Sequence, residues 1–159
     1  MVERVLSGGA KLDEYLANLA GRMSGELKVG FLEGATYPDG TPVAAVAFWN
    51  EFGRGSQPPR PFFRRMIAAE SPTWGPKLAR LAKVTNFDGE QSLRLLGEDI
   101  RGALQQSINT FTAPPLAPST IAAKGFAKPL IDTAVMLRAV DYEVTPSTCA
   151  GLPTVWPAL

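Results

Sequence analysis

Residues 88–111 read DGEQSLRLLGEDIRGALQQSINTF, and their periodicity decides most of the fold. Leu93, Leu96, Ile100, Ala103, Leu104, Ser107, Ile108 and Phe111 recur at three- and four-residue intervals, so on a helix they form one continuous face. Asp88 stands where an N-cap belongs, with Gln91 three residues on. Arg94, Glu98 and Arg101 fall on the other face at ion-pairing distance, each pair contributing ~0.2–0.5 kcal/mol. The chain outside this helix contains two stretches of a different period. Leu27, Val29 and Phe31 alternate with Glu26, Lys28 and Gly30, and Val140, Tyr142 and Val144 alternate with Asp141 and Glu143. Both read as half-buried strands.

The remaining segments read mainly as helices and turns. Leu12, Tyr15, Leu16, Leu19 and Met23 have helical spacing, which predicts an amphipathic helix from about Ala10 to Met23. Residues 34–41 (GATYPDGT) are rich in turn formers and read as an exposed loop. Thr41-Pro42 is a helix-start signal, with Thr41 as N-cap, and Gly53 is placed to end the helix. Between them, Val43 to Phe52 is almost wholly apolar, so it must be covered on every side, by the core or by another subunit. Residues 53–61 (GRGSQPPRP) cannot be regular structure, and Pro61 suits the first turn of a following helix with Phe62, Phe63, Met66 and Ile67 inward. A separate basic helix is expected from Pro76 to Val84. A short helix follows Ser119 and closes at Lys124-Gly125, and another is capped by Asp132 or Thr133 and runs to about Ala139. Residues 1–145 read as one domain, and residues 146–159 (PSTCAGLPTVWPAL) as an irregular apolar tail.

Composition narrows the chemistry. With 159 residues, 45% of them hydrophobic, the chain is large enough for one domain with one core. The net charge of +1 carries no general attraction to nucleic acid or acidic membranes. No apolar run approaches the roughly 20 residues of a membrane span, and Met1 begins no secretion signal, so a cytosolic protein is expected. The lone Cys149 and the absence of histidine exclude His/Cys zinc sites and His-dependent triads, and no cofactor is expected. Glu98 and Asp99 are adjacent acids, but neighbours on a helix point about 100° apart, which does not make an acid–base pair. Charge is uneven: seven bases (Arg54, Arg60, Arg64, Arg65, Lys77, Arg80, Lys83) face one acid, Glu70, between residues 54 and 83. The first 53 residues carry seven acids against four bases. That polarity suits head-to-tail contact between copies, while a solvated basic face is the plainer reading.

Two motifs go beyond generic patterns. One is Trp49-Asn50-Glu51-Phe52-Gly53 followed by Pro58-Pro59-Arg60-Pro61-Phe62-Phe63. The other is Pro115-Leu116-Ala117-Pro118-Ser119-Thr120-Ile121, then Lys124-Gly125, then Pro129-Leu130-Ile131-Asp132-Thr133 and Leu137-Arg138. In this order, from about Leu27 to Val144, they resemble the neck or tail-completion proteins of long-tailed bacteriophages, also labelled virion morphogenesis or minor tail proteins. Ala134 stands where family members commonly carry glycine. If that glycine serves a left-handed backbone, the local turn here must differ.

The resemblance implies an α+β protomer, a small antiparallel sheet packed with several amphipathic helices. It implies a homo-oligomeric ring, a hexamer, formed in the host cytoplasm and carried into the mature virion. The ring would complete the tail end, dock it to the head connector or adaptor proteins, and meet the tail tube or tail terminator protein. DNA would pass through its channel without base recognition, and no membrane or catalysis is involved. Tail terminator is the neighbouring alternative. A nucleic-acid-binding module using residues 54–83 is the runner-up, with Arg60, Arg64 and Arg65 as phosphate contacts, and a carboxylate-dependent hydrolase is third.

Glu51 is the only charge between Thr41 and Gly53, so it should be exposed, at a contact, or paired, with Arg54 and Arg60 the nearest cations in sequence. Trp49, Phe52, Phe62 and Phe63 are expected mainly in the core. Trp156 is assigned evenly to another chain or to its own domain. The expected interface set is therefore Glu51, Arg54, Pro58, Pro59, Arg60, Asp132, Thr133 and Trp156, with the Gly53–Pro61 loop as a docking element rather than a passive connection.

Overall fold

A computed structural model describes residues 9–115, 118, 121, 122, 125, 130 and 134–146. In chain order the elements are α1 (Gly9–Arg22), β1 (Gly25–Phe31), α2 (Val43–Phe52), α3 (Phe62–Val84), α4 (Gly89–Thr110), α5 (Val135–Arg138) and β2 (Val140–Pro146). The class is α+β, as the two periodicities require. β1 and β2 pair antiparallel, with Leu27 opposite Val144, Val29 opposite Tyr142 and Phe31 opposite Val140. This register puts the apolar members of both strands on one face.

Helix α4 covers that face. Its cap forms as read: the Asp88 carboxylate accepts from the Gln91 amide at 2.9 Å. Leu96, Ile100, Leu104 and Ile108 are buried at four-residue spacing, each contributing ~1.5–3 kcal/mol by leaving water. Helix and sheet approach most closely at Gly97, where an added Cβ would lie 2.5 Å from the Tyr142 ring and 3.0 Å from Leu27. Glycine is needed there for space. On the outer face Arg101 pairs with Glu98 at 2.8 Å, whereas Arg94 pairs with Glu90 at 2.7 Å rather than with Glu98.

Three local expectations are corrected. The first concerns α3, which is one continuous helix of 23 residues in place of two shorter ones, with Pro72 and Pro76 inside it. The prolines sit four residues apart on the exposed side, so the carbonyls they leave without helical partners face water. The second concerns the start of α2. Pro42 holds the N-cap position with no side-chain cap, and its carbonyl accepts from Ala45 and Val46 at 3.1 and 3.3 Å. Thr41 lies outside the helix, its own amide donating to Asp39 at 3.0 Å.

The third correction lies at Ala134, which is itself left-handed at φ 58°, ψ 12°, and is the N-cap of α5. The turn keeps the geometry that glycine would serve, and alanine bears a steric cost of ~1–2 kcal/mol for it. Asp132 and Thr133, the expected caps, lie outside the described residues, as do Ser119, Lys124 and the tail beyond Pro146.

Candidate interaction surface

The first motif folds into a corner between α2 and α3, and its geometry inverts what hydropathy alone predicts. Spacing of four along α2 puts Val43, Ala47 and Glu51 on the buried side. The acid is therefore inside, with 5% of its surface exposed, while Phe48 and Phe52 stand outside at 59% and 52%. The apolar helix is covered on one side only, and Phe52 does not belong to the core. Phe62 does, at the centre of the apolar cluster, with Phe63 and Trp49 half-buried.

Glu51 is inside because α3 needs it there. That helix begins after Pro61, which offers no side-chain cap, so its first amides lack partners. The Glu51 carboxylate supplies them from one turn before the corner, accepting from the Phe63 amide at 3.0 Å and the Arg64 amide at 3.2 Å. The Arg64 guanidinium closes the arrangement, its Nε donating to Oε1 at 2.7 Å and an Nη to the Glu51 carbonyl at 3.3 Å. Neither Arg54 nor Arg60 is the partner, although both are nearer in sequence. A carboxylate at a helix N-terminus with two amide donors and a cation is well stabilised despite its burial.

Arg60 departs from expectation more sharply. Its residue is 5% exposed, so its side chain is not a surface contact of the protomer. Its amide donates to the Asn50 carbonyl at 2.6 Å, which draws the proline-flanked segment against α2 and carries the side chain inward. Among the described residues no carboxylate pairs with it, and its Nε has no hydrogen-bond partner. Burial holds its pKa below the usual arginine value. Arg54, Pro58 and Pro59 are exposed. Arg54 stacks on Trp49, its guanidinium carbon 4.0 Å from the ring centroid. The loop between them is tied by reciprocal Arg54–Gln57 backbone bonds of 3.3 and 3.0 Å. It turns at Gly53, whose φ is +84° and where an added Cβ would lie 2.8 Å from the Gln57 carbonyl oxygen, so no side chain fits there. Asp132, Thr133 and Trp156 lie outside the described residues.

The corner borders an apolar groove of about 310 Å³. One wall is Lys28 to Phe31 of β1 with Leu32 just after it, along the edge that no described strand pairs. The other walls are Ala44, Ala47, Phe48, Glu51 and Phe52 of α2, with Phe62 and Phe63 of α3. The groove's charged neighbours are paired: Lys28 in the wall lies 3.8 Å from Glu26, and Arg64, 4.8 Å from the Phe52 ring centroid, is held by Glu51. Sequence alone makes Phe48 a member of an all-apolar helix and puts Phe52 in the core; the burial of Glu51, which turns both outward, is a tertiary effect.

The basic segment from Arg54 to Lys83 is less available than its charge implies. Arg64 is engaged by Glu51, and Arg65 lies over Phe111 at 5.6 Å. Lys77 bridges Asp99 at 2.6 Å and Glu70 at 3.6 Å, which raises its pKa. Among the described residues no cluster of acids, histidines or cysteines is placed to hold a metal ion, and no helix is long and apolar enough to cross a membrane. No family model, curated protein or solved structure matches the chain.

Proposed function

We propose that this chain is a structural protein of the bacteriophage head–tail junction, a neck or tail-completion subunit that works by contact in a ring of its own copies. The resemblance of the two motifs supports the reading. The observation that carries it is the pair Phe48 and Phe52, both more than half exposed with ring centroids 4.7 Å apart beside an apolar groove. Two neighbouring exposed phenylalanines at a groove mark a surface that another molecule covers. The first motif builds the corner that holds them there, through the Glu51 cap and the Asn50–Arg60 bond.

The test is assembly of particles without this protein. Filled heads beside separate tails of normal length support a joining role. Tails of irregular length would reassign the chain as a tail terminator, and normal joining without it would overturn the reading altogether. The basic segment supports nucleic-acid binding less well, because Arg64, Arg65 and Lys77 are engaged within the protomer. DNA affinity falling steeply with salt would restore that alternative.

A further inference from the structure

α1 is a helix of 14 residues with none of them buried, and Leu12, Tyr15 and Leu16 are each more than half exposed along one stripe that ends at Leu19. A helix of this length is marginal in water unless its apolar face is covered. The contacts that hold it lie at its C-terminal end. There Arg22 donates to the Asn86 carbonyl at 3.1 Å, and the chain at Arg22 and Met23 passes close against Gly89. The earlier turns have no apolar cover among the described residues.

The sheet shows which part of the chain is at hand to supply it. β1 starts three residues after α1 ends, and its first residue, Gly25, is paired with Pro146, the last of β2. An added Cβ on Gly25 would lie 3.5 Å from the Thr145 carbonyl oxygen, so β2 ends beside the base of α1. From that point the sequence continues through residues 147–159 (STCAGLPTVWPAL), which lie outside the described residues and carry no charge. Pro153 and Pro157 cannot join a helix interior and favour an extended path. At ~3.1 Å per residue, Leu152 and Trp156 can lie up to ~19 and ~31 Å from Pro146. From Arg22 back to Leu12, α1 rises only ~15 Å. The stretch from Leu152 to Trp156 therefore comes level with Leu16 and Leu12. The Phe48–Phe52 groove is the more distant seat, beside Lys28 to Leu32 towards the other end of β1. An uncharged segment needs no ionic match, and Lys11, Asp13 and Glu14 of α1 lie beside the stripe rather than in it.

We infer that residues 147–159 lie back along the apolar stripe of α1 in the same chain, with Leu152, Val155 and Trp156 against Leu12, Tyr15 and Leu16. The contact gives Trp156 to its own protomer and leaves the Phe48–Phe52 groove as the surface open to another molecule. It is independent of the head–tail reading above.

A nitroxide on this segment tests it. Cys149→Ser with Thr154→Cys leaves a single thiol for the label, between Leu152 and Trp156. In the labelled full chain the amide signals of Leu12, Tyr15 and Leu16 should broaden, those of Phe48 and Phe52 should not, and reducing the nitroxide should restore them. Adding Leu12→Glu with Leu16→Glu, both at exposed positions, should abolish the broadening. An isotope-labelled chain without nitroxide, mixed with an unlabelled chain that carries it, should show none, because the contact is within one chain. Removing residues 147–159 should cost α1 its protection from deuterium exchange and leave α4 unchanged. Broadening centred on Phe48 and Phe52 would overturn the inference in favour of the groove, and broadening in the mixture in favour of another copy. Broadening that survives the two glutamates, no local broadening at all, or protection of α1 that outlasts the deletion would each overturn it outright.

Discussion

Along α4 the large buried side chains are Leu96, Ile100, Leu104 and Ile108, and the one buried hydroxyl, Ser92, bonds both Thr85 and the Asp88 carbonyl. Along α2 the buried positions end in a carboxylate, and two phenylalanines face outward. The same residue types are thus sorted in opposite ways within one protomer. In the α4–sheet half, the apolar stripe and the buried face coincide. In the α2–α3 corner the inward position is set by a helix terminus that needs an anion, and apolar surface is left for another molecule. Departure from the hydropathic pattern locates the surface that acts outside the protomer.

The largest expected effect tests the packed half. Gly97→Val should destabilise by about 3 kcal/mol or more, since even one methyl must displace the Tyr142 ring. Chemical denaturation with an unchanged slope and midpoint would mean that α4 is free to lift from the sheet. Next, Glu51→Ala should cost about 2–3 kcal/mol, the value of charge-assisted bonds to two amides and a guanidinium. At this chain length that lowers the melting temperature by about 2–4 °C per kcal/mol, and Glu51→Gln should lose less because it can still accept. Equal stability of all three chains would remove the cap from the account.

Arg60→Met is expected to be neutral or to stabilise by about 1–2 kcal/mol, because a buried guanidinium with no carboxylate partner among the described residues is exchanged for an apolar side chain of similar length. A melting temperature well below wild type would reveal an acid holding Arg60. Ala134→Gly should stabilise by about 0.5–1 kcal/mol by relieving the left-handed alanine; differential scanning calorimetry resolves a change of that size. The smallest effect belongs to the contact surface itself. Phe48→Ser with Phe52→Ser should leave stability within about 0.5 kcal/mol, as exposed positions do, while abolishing head–tail joining. A large loss of stability would move those rings into the protomer's own core.

How much of this was legible in the sequence follows the same division. The Asp88 cap, the α4 stripe and both strands could be read because local period and burial coincide there. The continuity of α3 through Pro72 and Pro76 could not, since proline usually ends a helix unless the freed carbonyls face water. Of the expected interface residues, Arg54, Pro58 and Pro59 are exposed. Glu51 is paired, one of the readings its isolation allows, but with Arg64 and not with Arg54 or Arg60, the cations nearer in sequence; Arg60 is buried instead. The cation that does bind Glu51 lies 13 residues away, one turn into the helix it caps.

Glu51 is both the cap of α3 and part of the groove wall, which gives the corner a property that neither role has alone. A molecule seated in the groove would exclude water from the carboxylate and strengthen its bonds to the Phe63 and Arg64 amides. By thermodynamic reciprocity, whatever tightens the start of α3 must also favour occupancy of the groove. The amide protons of Phe63 and Arg64 are therefore intrinsic reporters of occupancy, and their exchange with solvent deuterium would slow in the assembled particle relative to the free subunit.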